Sequence, residues 1–137
     1  MDFRNYVWGH FIMKFATDLH SARGLGSAKH GLHHWIAQRI TALALIPLGL
    51  WFAYAFIVLV TAPYEQAHMW LSSLWTVTLS VLFIIFMFYH GYLGMRVIWE
   101  DYVPQTSIRW ALIIGTKIFS CLMALLAILS ILKIFLI

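Results

Sequence analysis

Residues 66–95 read QAHMWLSSLWTVTLSVLFIIFMFYHGYLGM and contain no Asp, Glu, Lys or Arg. A helix needs about 20 apolar residues to cross the hydrocarbon of a bilayer, and a barrel strand only about 10. A run this long is therefore a membrane helix, because backbone groups in lipid must find their hydrogen bonds within the segment itself. On either side lie two more such runs. Residues 40–64 also lack charged side chains, and a third stretch, about 108–134, begins beside Arg109 and otherwise carries only Lys117 and Lys133. The pattern predicts helices near 36–61, 67–98 and 108–135, with Pro47 inside the first, where a membrane helix tolerates it as a kink.

Composition agrees. The chain has 137 residues, 63% hydrophobic and 10% charged, with mean hydropathy +0.86. Soluble domains carry roughly 25% charged residues, so this chain lacks the polar surface to face water. Its length suits one domain, 1–137, of the all-α membrane class: three transmembrane helices preceded by an N-terminal segment, 1–35. The single cysteine, Cys121, excludes an intrachain disulfide and any cysteine-built zinc or iron–sulfur site. The net charge of +4 does not point to nucleic acid, since Lys and Arg flank apolar spans rather than gather with aromatics on a polar face. Residues 1–35 lack an apolar core before a small-residue cleavage site, so no secretory signal is expected.

Loop charge sets the expected orientation. Arg4, Lys14, Arg23, Lys29 and Arg39 precede the first span, and the loop TAPYEQ (61–66) has no basic residue. The turn EDYVPQTSIR (100–109) follows Arg96 and ends on Arg109. The positive-inside rule puts the N-terminus and this second turn in the cytoplasm. Within the N-terminal segment, Phe3, Tyr6, Val7, Phe11, Phe15 and Leu19 recur at helical spacing. This describes an amphipathic cytoplasmic helix, which lies in the headgroup layer or docks to a soluble partner.

Seven histidines are the chemically notable feature. His10 and His20 fall in the polar N-terminal segment. His30, His33 and His34 form HGLHH ahead of the first span, a cluster joined by no carboxylate or thiol, and His68 opens the second span at its outer end. His90 differs. It lies about eight residues, roughly 12 Å, from the cytoplasmic end of the second helix, where a polar ring must face the bundle interior and have a partner. A hydrogen-bonded packing histidine satisfies that condition. So does a haem ligand, because Gly91 and Gly94 bare the adjoining helix surface and leave room for a flat macrocycle or another helix. Arg39, with His33 before it, supplies cations that pair with haem propionates or simply snorkel to the interface. His68 and His90 are 22 residues apart, roughly 33 Å on one helix, and cannot clasp one iron. A six-coordinate haem on His90 would therefore take its second ligand from another chain, making the bundle heteromeric.

Two motifs carry a resemblance. HGYLGMRVIWEDYV (90–103) is similar to the second-helix signature of the small membrane-anchor subunits of succinate dehydrogenase (respiratory complex II): a His, a Gly four residues on, and an Asp-Tyr ending. GLHHWIAQRITA (31–42) resembles the start of that family's first helix, with Gly31, His33, Arg39, Thr41 and Ala42 in matching places, and GLGSAKHG (24–31) resembles the lead-in of one bacterial branch. The three-helix layout matches over essentially the whole chain. His34 departs from the pattern, since some relatives have an acidic residue there, and the N-terminal segment is longer. The resemblance implies that His90 is one axial ligand of haem b, the other coming from a companion cytochrome b subunit. It implies Arg39 and His33 near the propionates, and Tyr102 hydrogen-bonded to a ubiquinone carbonyl with Asp101 beside it. It also implies iron–sulfur and flavoprotein subunits docked on the cytoplasmic face of the bacterial inner membrane, so that this chain positions groups and makes no bonds. Position by itself leaves Tyr102 equally at home in an interfacial aromatic belt.

Three other functions compete. A fumarate reductase anchor works the same couple in reverse. A small transporter predicts charged or broken-helix residues at midplane, and here only Lys117, about 12 Å from Arg109 by rise, approaches that. A haem-free structural anchor would show no haem in a reduced-minus-oxidised optical spectrum.

Overall fold

The computed structural model describes residues 28–136, with side chains from residue 32 onward. The expected amphipathic helix at 3–19, with His10 and His20, lies outside the described residues, as does the side chain of His30. The chain divides into two compact units, Met1–Trp35 and Ile36–Ile137. Among the described residues four helices follow one another: α1 (Ala28–Thr61), α2 (Tyr64–Leu71), α3 (Leu74–Tyr102) and α4 (Thr106–Leu136). Among the described residues there is no strand, and α1, α3 and α4 are each long and apolar enough to cross a membrane.

The first and third spans run close to expectation, and α1 continues through Pro47 as helix. The second does not. In place of one helix over 67–98, a short helix, α2, stops at Leu71 and α3 starts afresh at Leu74. Two serines make the break. The Ser72 and Ser73 amides close the end of α2 by donating to His68 O at 2.9 Å and Trp70 O at 3.2 Å. Ser73 then caps α3: its Oγ accepts from the Thr76 amide at 3.3 Å and lies 2.7 Å from Thr76 Oγ1. A serine at this position satisfies one of the amides that a helix start leaves without an intrahelical partner. His68 therefore sits on α2, tilted against Tyr64 with ring centroids 6.0 Å apart, and shares no helix with His90. The separation still holds, because Leu74 to His90 is itself roughly 24 Å of helix.

Along α1 and α3, Thr41 meets His90 at one level and Phe52 stacks on Phe83 at another, with centroids 4.4 Å apart. That order makes the two helices antiparallel. Near the α2 end of the bundle, Trp51 stacks on Trp70. The closest helix packing is between α3 and α4. Pro104 lies in the short turn joining them, where a residue without an amide proton ends a helix. Trp99 Nε1 donates to Thr116 Oγ1 at 3.0 Å and ties the two helices near that turn.

The buried apolar core is thin: Ala55, Val77, Ile84, Leu93 and Ile113. Large apolar side chains instead cover the outside, among them Leu43, Leu50, Phe56 and Leu122, all more than half exposed. Three hydroxyls of the spans are satisfied within their own helix: Thr61, Thr78 and Ser130 each donate to the carbonyl four residues earlier at 2.8 Å. An apolar exterior with self-satisfied hydroxyls is the arrangement hydrocarbon requires.

Candidate functional site at His90

His90 sits on α3, half-buried, and its ring is held at both nitrogens by α1. Nδ1 lies 2.9 Å from Thr41 Oγ1, and Nε2 lies 3.4 Å from the Gln38 amide nitrogen. Thr41 is among the most buried residues, at 4% exposure. Its hydroxyl reaches back along α1 to Ala37 O at 2.8 Å and Gln38 O at 3.1 Å. Gln38 and Thr41 are three residues apart and so share one face of α1, the face turned to His90. The other end of the Gln38 amide, Oε1, is buried without a hydrogen-bond partner among the described residues.

The two glycines serve different surfaces. A Cβ on Gly94 would lie in ordinary contact with the Gln38 amide nitrogen, at 3.5 Å, so Gly94 borders the Gln38–His90 contact. Gly91 instead faces a groove between α3 and α4, about 530 Å³, lined among others by Met87, Met95, Gly115 and Phe119. The sequence reading placed both glycines beside the His90 ring; only Gly94 is there.

Arg39 follows Gln38 on α1 and so comes to the level of His90, with an exposed side chain. His33 is exposed and belongs to the first compact unit. Tyr102 closes α3 with 80% of its surface exposed, and Asp101 beside it is exposed too. Twelve residues of helix, roughly 18 Å of rise, separate Tyr102 from His90. Arg96 and Glu100 form an ion pair at 2.7 Å on the same stretch of α3. The candidate residues thus fall at two levels, His90 between α1 and α3 with the exposed Arg39 at its height, and Tyr102 with Asp101 at the α3–α4 turn.

The part of the site that sequence reasoning missed is the α1 side. Thr41 was noted only as a motif position and Gln38 not at all. Their signal is two polar residues at helical i, i+3 spacing in an otherwise apolar helix. Among the described residues no three His, Cys, Asp or Glu side chains gather as a metal cage. The surroundings fit a macrocycle ligated there: an imidazole anchored at one nitrogen, a loosely held amide at the other with a partnerless buried oxygen, and a glycine alongside.

Comparison with known proteins supplies the remaining finding. Residues 13–131 match the family model described as succinate dehydrogenase/fumarate reductase transmembrane subunit. The succinate dehydrogenase hydrophobic membrane anchor subunit of Rickettsia bellii is 35% identical over 108 residues, covering 79% of this chain and 86% of the relative. That of Rickettsia conorii is 31% identical over 117 residues, covering 85% and 92%. That of Paracoccus denitrificans is 32% identical over 108 residues, covering 78% and 82%. No solved structure matches significantly. With three apolar spans and this similarity along nearly its whole length, the chain is a multi-pass membrane protein that belongs to the succinate dehydrogenase/fumarate reductase transmembrane subunit family, as a hydrophobic membrane anchor subunit of the succinate dehydrogenase type.

Proposed function

We propose that this subunit holds haem b jointly with a partner cytochrome b subunit and helps form the ubiquinone-reduction site, so that electrons from succinate reach quinone at the membrane. The observation that carries the reading is His90 itself: an imidazole deep in a membrane helix, fixed at Nδ1 by Thr41 at 2.9 Å, with only a 3.4 Å contact at Nε2. When bound, haem b supplies a one-electron carrier between the helices. His90 would hold it from this chain together with a histidine of the partner, and Arg39 and His33 would neutralise its propionates. The iron–sulfur and flavoprotein subunits carry the succinate chemistry on the cytoplasmic face of the bacterial inner membrane, to which this chain ties them.

At the α3–α4 turn, Tyr102 donates its phenolic hydrogen to a quinone carbonyl as negative charge develops there. Asp101, exposed to water beside it, belongs to the same site. Quinone reduction consumes two protons with two electrons, and an exposed turn at the cytoplasmic surface gives access to both water and the donor subunits. The test is a reduced-minus-oxidised spectrum of the assembled complex carrying His90→Ala. The reading expects loss or conversion of a six-coordinate b-type spectrum; an unchanged spectrum overturns it.

A further inference from the structure

The contacts around His90 bear on which of its nitrogens carries the proton. Thr41 Oγ1 has one hydrogen and two lone pairs. Two of its neighbours, Ala37 O at 2.8 Å and Gln38 O at 3.1 Å, are carbonyl oxygens that can only accept. The hydroxyl proton therefore points into the α1 backbone. What Thr41 presents to His90 at 2.9 Å is a lone pair, and a lone pair is satisfied only by an N–H. The other nitrogen agrees. The Gln38 amino group, 3.4 Å from the ring Nε2, is oriented as a donor, which is compatible with a lone pair on Nε2. The Thr41 contacts favour the tautomer with the proton on Nδ1 and the lone pair on Nε2, and the Gln38 contact is compatible with it.

We propose that Thr41 is a positioning residue that locks His90 as the Nδ1–H tautomer and aims Nε2 as the ligating nitrogen, and that the Gln38 amide keeps that lone pair covered until iron replaces it. The consequence for iron rests on the haem reading above; the tautomer itself does not. Gln38 is suited to a temporary contact. At 3.4 Å its hydrogen bond is beyond the usual N–H···N range, and its buried Oε1 has no partner among the described residues to hold the amide in place. Thr41 is suited to a permanent one, being 4% exposed and anchored twice to its own helix. An Nδ1–H donating to an oxygen raises the basicity of Nε2, as such partners do for metal-bound imidazoles. A more basic ligand favours ferric over ferrous iron.

The test uses the assembled complex in wild-type, Thr41→Val, Thr41→Ser, Gln38→Ala and His90→Ala forms. Nitrogen-15 spectra of histidine-labelled, haem-depleted complex, with the His90 signals assigned by their absence from His90→Ala, should show a protonated Nδ1 and a bare Nε2. A bare Nδ1 overturns the lock whatever haem does. In haem-loaded complex, Thr41→Val should keep a six-coordinate spectrum but hold haem roughly 10- to 100-fold more weakly. A tenfold loss of ferric over ferrous preference raises the midpoint potential by about 59 mV for one electron. Thr41→Ser should restore both values, and Gln38→Ala should keep the spectrum. If Thr41→Val left affinity and potential unchanged while His90→Ala abolished the spectrum, Thr41 would be packing only and the proposal would fall. If His90→Ala kept the spectrum, the haem reading would fall instead, and the nitrogen-15 result would still decide the tautomer.

Discussion

Tyr102 ends α3 with 80% of its surface exposed, so its hydroxyl contributes little to folding, and removing it isolates chemistry from stability. Tyr102→Phe deletes one donor and keeps the ring. A hydrogen bond to a group carrying charge is worth about 1.5–3 kcal/mol, so quinone reduction should fall roughly tenfold to hundredfold. Haem content and electron transfer from succinate to a water-soluble dye should not change, because His90 lies roughly 18 Å away along the helix. Intact quinone turnover would leave Tyr102 an interfacial belt residue. Gly94 makes a complementary prediction. Its Cβ position lies 3.5 Å from the Gln38 amide, which admits Ala, but the longer Leu would drive Gln38 against His90. Haem content measured by absorbance should therefore drop in Gly94→Leu. At this scale the sequence reveals which α3 residue needs a partner, since a histidine within an apolar run is conspicuous. It does not reveal the partner. Thr41 and Gln38 lie 49 and 52 residues away on another helix, and which face of α1 turns toward His90 depends on packing that hydropathy does not encode.

The elements were legible to the extent that lipid dictates them. Two runs without acidic or basic residues, and a third carrying only Lys117 and Lys133 beyond Arg109, became three spans because nothing else satisfies a backbone in hydrocarbon. The break between α2 and α3 was not legible for a related reason. Hydropathy registers composition, and Ser72 and Ser73 barely alter it, whereas helix continuity depends on where the hydroxyls hydrogen-bond. The cap is testable on its own. Ser73→Ala removes the acceptor for the Thr76 amide and the partner of its hydroxyl. Loss of such a cap costs about 1 kcal/mol, and the thermal midpoint of the purified complex should fall while its haem spectrum stays as in wild type. An unchanged midpoint would mean that packing around Val77 and Thr76, both buried, holds the start of α3 without the cap.

At the scale of the whole molecule, the outside is more apolar than the inside is large. Among the described residues five apolar side chains are buried, while Leu50 and Val60 on α1 and Leu136 on α4 are about 70% exposed or more. Such a surface is stable only against acyl chains and the helices of other subunits. Antiparallel packing of α1 on α3 brings Arg39 to the level of His90, and the short turn after α3 keeps Arg96 and Arg109 at the same end of the bundle. The loop around Glu65 at the opposite end lacks basic residues. The positive-inside rule expects the arginine-bearing end on the cytoplasmic side, the orientation on which the proposed function rests. This orientation is what gives the proposed quinone site access to the iron–sulfur subunit, so it bears on the function as well as the fold. Gln66 on α2 and Gln105 in the α3–α4 turn are both exposed and lie on opposite sides in this arrangement. In a Cys121→Ser background, Gln66→Cys should react with a membrane-impermeant thiol reagent added to intact cells once the outer membrane is permeabilised. Gln105→Cys should react only after the inner membrane is opened. The reverse pattern would turn the bundle over and put Tyr102 and Asp101 on the side away from the subunits that deliver electrons, a position from which they could not serve succinate oxidation.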